Sequence, residues 1–514
     1  MQAKTSHDLR WWILAVLSLS LLVITIDGTV VNTALPTLAR ELDASASQLQ
    51  WIVDAYTLVF AGLLLVAGSL GDRIGRQRTL AGGLVVFGAG SFVAALSGTA
   101  GELIASRSLM GAGAALIMPA TLSILNDVFQ DRSERTKAIG IWAGVSGLGV
   151  AIGPTLGGFL LEHFEWGSVF LVNLPVVAIA LVGVRRLVPV SKAAVAPRLD
   201  PAGAVLSMAG LGALTYGLIE APSQGWTSGA TIGFLGASMA LLGSFAWWEL
   251  RGTDHPMVDL GLFRNMRFSA ASLSVTIVFF SLFGSLFLLT QILQNVLGYS
   301  TLAAGAGALP FALAVGAVSP LAAGLARSRG TKLPVAGGLL LLATGLGVMS
   351  RADASSSFGY FVFATVLMGI GMGLAMAPAT DSIMGALPRE QAGVGSAIND
   401  SVRNIGGVLG VAVIGSVATS AFGSRMAEAV GGLPSAAAHA ASGSINGALQ
   451  VAAHAGPAGS GLAASARDAF MSAASGAELI AAVVAVVGGA LALRYLPARE
   501  AAEAPVAVAA GASA

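Results

Sequence analysis

Asp27, Asp54, Arg107 and Asp400 stand inside stretches of this chain that are otherwise apolar. A charge at mid-bilayer depth costs roughly 2.5–3.5 kcal/mol on insertion scales, so an ionisable group there is a functional candidate. Read as helices, Asp27 and Asp54 lie about six residues from the outer ends of their runs and Arg107 about five, or roughly 8–9 Å deep. Two anions and a cation at one level suggest a shared polar cavity, in which a proton competes with a cationic solute for the carboxylates. Burial opposes the charge on Asp27 and a neighbouring arginine favours it. The alternative is an Arg107–Asp27 pair that only fixes helix packing. A stripe of Ser18, Thr25, Thr29 and Asn32 lies on a different face of the first run, so one of the two faces must pack, its hydroxyls bonded back to the helix. Asp400 has Arg403 three residues on, which puts both on one helix face and makes local pairing the alternative there. Asp381 reads as interfacial, and Glu220, Glu249 and Glu478 as solvated anchors at helix ends.

A second constellation is a hydrophilic break, GSLGDRIGRQRTL from Gly68 to Leu80, with Asp72, Arg73, Arg76 and Arg78. Gly71 and Gly75 carry no Cβ and allow a tight turn there. Such a turn ties two membrane spans together at one face. A third feature is GVSGLGVAIGPTLGGFL in the fifth run, where Gly149, Gly153 and Gly157 form a small-xxx-small ridge that permits close helix contact in lipid. Pro154 removes a backbone bond and kinks the helix beside Gly157 and Gly158. A dense kinked helix suits a hinge between bundles.

The elements that carry these groups are membrane spans. The chain has 514 residues, 55% of them hydrophobic and 10% charged, with a mean hydropathy of +0.81. Soluble domains run near 25% charged, so this composition marks a membrane protein. A net charge of +1 with scattered basic residues gives no nucleic-acid surface. The absence of cysteine excludes disulfides and thiol chemistry, and His7, His163, His255, His439 and His454 show no metal-ligand spacing. None of the four lysines follows a glycine, so no phosphate-cradling ATP loop is present. With about 20 apolar residues to a span, fourteen spans are expected between residues 11 and 495, the last over 477–495. The first run continues to Asp27 and reads as a retained span, not a cleaved leader. If the N-terminal side is inside, 21 lysines and arginines fall in inner segments and four in outer ones, which places both termini in the cytoplasm.

LMGAGAALIMPAT at 109–121 recurs as LMGIGMGLAMAPAT at 367–380. The offset of 258 residues is too long for six helices alone and fits two six-helix bundles with an extra helix pair, 202–220 and 229–248, between them. The expected organisation is a first bundle over 1–190, a connector with the extra pair over 191–267, a second bundle over 268–496, and a disordered cytoplasmic tail over 497–514. GLARSRGTKL between spans 10 and 11 reads as a worn copy of the Gly68–Leu80 loop that has lost the aspartate. HPMVDLGLFRNMRF, from His255, can form a short amphipathic helix on the inner surface. The external segment 424–476, rich in Ala, Gly and Ser, is either disordered or a helical hairpin.

Taken together, TIDGTVVNTALP at 25–36, the Gly68–Leu80 loop, RSLMGAGAALIMP at 107–119 and GVAIGPTLGG at 149–158 resemble the fourteen-helix drug:proton antiporters of the major facilitator superfamily. The resemblance extends to DPAGAVLSMAGLGALTYGLIEAP and HPMVDLGLF around the extra pair. It implies an all-α integral membrane fold and no enzyme activity. Asp27, Asp54 and Arg107 match positions implicated in proton and substrate handling, and Asp400 an acidic position associated with cationic substrates. Gly68, Asp72, Arg73, Gly75, Arg76 and Asp127 match a charge network that locks the outward-open state, and the Gly149–Gly158 segment marks antiporters. The tenth span lacks an acid that some members carry, which bears against dicationic cargo. The implied function is proton-coupled multidrug efflux from a bacterial inner (plasma) membrane, by a monomer that uses the proton gradient and no cofactor. The alternatives are a dedicated exporter of one antibiotic or lipid, and a non-transporting scaffold or sensor.

Overall fold

The computed structural model describes residues 6–192, 200–252, 259–386 and 392–497, and helix dominates throughout. The first bundle contains α1 (Ser6–Glu41), α2 (Ala46–Ile74), α3 (Arg76–Ala95), α4 (Ala100–Val128), α5 (Arg132–His163), the single turn α6 (Ser168–Leu171) and α7 (Asn173–Leu187). The extra pair is α8 (Pro201–Gln224) and α9 (Gly229–Trp247). The second bundle contains α10 (Met266–Gln291), the short α11 (Thr301–Ala306), α12 (Leu309–Arg329), α13 (Lys332–Met349), α14 (Phe358–Met384), α15 (Ala392–Met426) and α18 (Ser460–Tyr495). Between the last two lie α16 (Ser435–Gly443) and α17 (Ile445–His454). Twelve helical stretches among the described residues are long and apolar enough to cross a membrane. The expected count of fourteen adds α2 and α5, helices of 29 and 32 residues.

Helix starts follow from local chemistry. Ser45 closes a capping box with Gln48, and Thr99, Asp131, Asp200, Ser228 and Ser300 each accept a first-turn N–H. These bonds satisfy donors that a helix leaves open at its first turn. The chain reverses between α2 and α3 at Gly75 (φ 109°) and between α12 and α13 at Gly330 (φ 79°), backbone that favours glycine. The worn loop therefore keeps the turn of the charged one.

The sequence repeat is a packing repeat. α1 packs on α5, α2 on α4, and α3 on α4; α10 on α15, α12 on α14, and α13 on α14 mirror them. α7 closes the first bundle against α1 and α3, as α18 closes the second against α10 and α13. The repeated LMGxG segments do the same work in each. A Cβ at Gly111 would fall 2.4 Å from the Tyr56 carbonyl oxygen, and one at Gly369 would fall 2.6 Å from that of Phe311. Both helices therefore approach a neighbour's backbone more closely than any side chain permits.

Some expectations need correction. The segment 424–476, expected to be external, folds as α16, α17 and the first turns of α18, so the helical alternative holds and the last helix starts at Ser460, well before 477. The spans expected over 168–188 and 303–325 are each broken, at Val172 and around Gly307. Of the HPMVDLGLFRNMRF stretch, the described residues form a 3-10 turn, Leu260–Arg264, and the start of α10, and residues 253–258 lie outside the described set. The tail, Arg198 and Arg389 also lie outside it. Glu249 and Glu478 are buried, whereas Asp381 is exposed as expected.

The bundles meet at one end. Gln294 Nε2 donates to the Thr33 carbonyl at 2.9 Å, Thr301 Oγ1 to the Gly158 carbonyl at 3.1 Å, and Ser300 Oγ to Glu162 Oε2 at 3.4 Å. Gly158 and Pro154 lie against Thr301, Leu302 and Gly305, while Gly149, Gly153 and Gly157 receive Thr25, Thr29 and Val30 of α1. One ridge thus serves α1 on one side and the second bundle on the other. α8 sits against α2 and α15, and Ser416 Oγ donates to its Leu218 carbonyl at 2.7 Å.

Because the chain has no native cysteine, a Glu162→Cys/Ser300→Cys pair reports this closure directly. We expect efficient cross-linking by a short bifunctional thiol reagent in the otherwise native chain. Adding Gly158→Val, whose side chain would meet the Thr301 backbone, should lower the cross-linked fraction severalfold at equal membrane insertion.

Candidate functional site

Asp27 and Arg107 lie at the centre of the first bundle, 0% and 1% exposed. Arg107 Nη1 donates to Asp27 Oδ2 at 2.5 Å, and Arg107 Nε to the Ile52 carbonyl at 3.1 Å. The Tyr56 ring covers the guanidinium, with 4.3 Å from its centre to Cζ. Asn173 Nδ2 donates to Asp27 Oδ1 at 3.3 Å and to Ser91 Oγ at 3.0 Å, and Ser91 Oγ donates to the Phe170 carbonyl at 2.8 Å. Five helices therefore converge on one carboxylate or its partners. The break at Val172 lets α7 start at Asn173 and puts that amide in range. A paired and hydrogen-bonded charge is the form in which a bundle interior tolerates ionised groups.

Asp54 is also fully buried, yet neither carboxylate oxygen has a hydrogen-bond partner among the described residues. It stands two residues from both Ile52 and Tyr56, and two residues along a helix reverse the face. Asp54 therefore points away from Arg107, and the expected shared cavity is divided by α2 itself. Its own stripe runs Gln50, Asp54, Leu58, Ala61. Gln50 meets Gly415 and Ser416 of α15. Leu58 and Ala61 line a small apolar cleft with Leu211 of α8 and Ile405, Val408 and Leu409 of α15. Asp54 thus lies in the seam between bundles, one turn below the contact that closes it.

Of the stripe Ser18, Thr25, Thr29 and Asn32, the two threonines pack, whereas the buried Ser18 hydroxyl and Asn32 Oδ1 have no hydrogen-bond partner among the described residues. Thr25 and Thr29 donate to carbonyls three and four residues back, at 3.1–3.3 Å, while their side chains fill the glycine ridge of α5. The Asp27 face packs too, against α4 and α7.

Asp400 is not brought to this level. It lies eight residues into α15, near the opposite end from the Gln50–Ser416 contact, and Arg403 Nη1 donates to its Oδ1 at 3.5 Å. Arg403 also rests on the Phe279 ring at 4.8 Å. Local pairing is what the structure shows. In the charged loop, Arg76 Nη1 meets Asp127 Oδ2 at 2.5 Å, joining α3 to α4 within the first bundle. Arg73 is exposed, Gly68 faces Pro119, and the Asp72 side chain lies outside the described set. Arg10 Nη2 reaches Glu134 Oε1 at 2.7 Å at the same end.

Sequence reasoning missed Asn173, Ser91 and Tyr56. The signal for Asn173 was an amide before a proline in an apolar run, NLP; Tyr56 was hidden because an aromatic in a span is ordinary.

Comparison with known proteins agrees with this architecture. The sequence profile of the Major Facilitator Superfamily matches residues 17–411. The chain is 36% identical over 497 residues to the multidrug efflux pump LfrA of Mycolicibacterium smegmatis, covering 95% of this chain and 97% of that one. It is 37% identical to the multidrug resistance protein Stp of Mycobacterium tuberculosis, covering 78% and 74%. A solved bacterial homologue of the human lysosomal transporter Spinster, in an inward-facing and occupied conformation, superposes with a TM-score of 0.68 at 17% identity over 95% and 97% of the two chains.

Breaking the central pair leaves a buried charge alone. Arg107→Met should cost about 3–5 kcal/mol, whereas the Asp27→Asn/Arg107→Met double variant should cost much less. Thermal unfolding of the purified proteins in detergent would show the single variant melting well below the double one.

Proposed function

Because the chain belongs to the Major Facilitator Superfamily, we propose that it exports lipophilic, often cationic drugs and biocides by alternating access, in exchange for protons. The observation that carries this reading is Asp54, a carboxyl with open acceptor atoms set in an apolar seam between two bundles. A lipophilic cation needs that combination: apolar walls for its body and one anion for its charge. The basic loops then face the cytoplasm of a bacterial inner membrane, and both termini lie on that side. The end closed by Gly158 and Thr301 is the outer one, so this conformation is closed outward.

Alternating access works through that seam. Cargo enters from the inner side and pairs with Asp54. When the outer end parts, Gln50 leaves Ser416 and water reaches Asp54 from outside. A proton then takes the cation's place, and the return step delivers it inward. Arg107 and Asp27 act through the opposite face of α2, where Ile52 and Tyr56 hold the guanidinium. Protonation of Asp27 would loosen Arg107 and free α2 to move, which links proton uptake to the seam. The chain works as a monomer, and the proton gradient is its energy source.

In vesicles loaded with a pH-sensitive dye, amphiphilic cations should drive proton release by the wild-type protein. Asp27→Asn should abolish that response while the protein still inserts. Asp54→Asn should weaken binding of cationic cargo about 10-fold or more, the scale of one lost charge contact, and spare neutral cargo. A panel of growth-inhibition assays in a pump-deficient host checks the substrate class. Resistance to a single compound would instead identify a dedicated exporter.

A further inference from the structure

The second bundle holds a buried carboxyl of its own. Glu478 of α18 is 1% exposed. Its Oε1 accepts a hydrogen bond from Ser285 Oγ of α10 at 2.7 Å, and its Oε2 has no partner among the described residues. The charged or titratable groups on the helices packed against α18 are Arg267, Lys332, Asp400, Arg403, Arg425 and His454, and none forms an ion pair with it. On its own helix the nearest are Asp468 and Arg467, ten and eleven residues away.

The place of this group in the repeat gives it meaning. In the first bundle, Asp27 on the first helix is linked to Asn173 on the last. In the second, Ser285 on the first helix is linked to Glu478 on the last. The LMGxG offset of 258 carries position 27 onto 285, and the shared turn at Asp43 and Gly298, both at positive φ, carries it onto 282, within one helical turn. The two bundles thus make the same polar link with acid and neutral partner exchanged. The arginine has no counterpart, since the same offset carries Arg107 onto the buried Thr365.

We propose that Glu478 is a second proton-binding carboxyl of the transporter, housed in the second bundle and served from the end beneath the α16–α17 hairpin. The step is a single protonation: an O–H bond forms at Oε2 on one side of the cycle and breaks on the other. A carboxyl oxygen with nothing donated to it, inside an apolar bundle, is where a proton can be held and released. The entry to this route would be the small cleft lined by Gln291 of α10, Phe470 of α18 and Ser444 under the hairpin. Gln291 lies six residues beyond Ser285 and Phe470 eight before Glu478, roughly 9 and 12 Å along their helices on the same side.

The inference rests on the proton-coupled reading above, and one experiment separates the two. Purified full-length protein in liposomes is given tetraphenylphosphonium, and protons moved per cation are counted with an internal pH dye. We expect Glu478→Gln to transport the cation with a proton-to-cation ratio about twofold lower than wild type, whereas Asp27→Asn loses coupling altogether. A Glu478→Gln protein with the wild-type ratio overturns this proposal alone. A wild-type protein that moves the cation with no protons overturns both readings. Should the variant fail to insert or transport, dicyclohexylcarbodiimide labelling of the wild-type protein decides. An adduct mapped to Glu478 supports the site, and an unmodified Glu478 overturns it.

Discussion

A carboxylate inside an apolar bundle has to be held by something, and the first bundle is arranged around that requirement. Asp27 is held by Arg107 and Asn173, and those two are held in turn by Ile52, Tyr56, Ser91 and Phe170. The helices that bring these groups are the ones whose small residues allow close approach, so packing and electrostatics impose the same geometry. Asp54 breaks the rule, with no group to satisfy it. The molecule supports one acid fully and leaves another bare, on opposite sides of one helix. The separation is only about half a helical turn wide, which makes α2 the element through which the two communicate.

Much of this was legible in the sequence. Membrane spans follow from apolar run length, and the two-bundle plan follows from the LMGxG repeat. The Arg107–Asp27 pairing followed from equal depth, and the Arg76–Asp127 contact from the family resemblance. Depth, however, is a one-dimensional coordinate. It put Asp54 beside Arg107 because it ignored the rotation about α2, which turns by 200° between residues 52 and 54. The same blindness applied to Glu478, which depth placed at a helix end because α18 was expected to begin at 477. Once Ala- and Gly-rich residues from 460 onward extend that helix, Glu478 is in its middle and buried. Low complexity concealed helix here because alanine carries no periodic signal, although it favours helix strongly.

The repeat also shows how the bundles diverged without losing their shape. Backbone features were kept: the positive-φ turns at Gly75 and Gly330, the serine caps at Ser45 and Ser300, the glycines that meet Tyr56 and Phe311. Charged side chains were not. Arg107 and Asp27 have no charged counterparts at the matching offsets, and the offset that joins Gly75 to Gly330 carries Asp72 onto Arg327, of opposite sign, while Glu478 arises on a helix whose partner carries Asn173. Packing fixes a position to within an ångström, whereas a polar role needs only a suitable group within one helical turn.

The contact that shuts the seam is made where Gly158 and Gly305 receive the carbonyl groups of Thr301 and Pro154, with neutral side chains around them apart from Glu162, which accepts from Ser300 at the edge. A latch made of bare peptide against bare peptide has almost nothing for ions to screen. Most of its strength therefore changes little with the salinity of the surrounding medium. The closed end is thereby largely insulated from dissolved ions, and the acids Asp27, Asp54 and Glu478 are kept from them by burial instead.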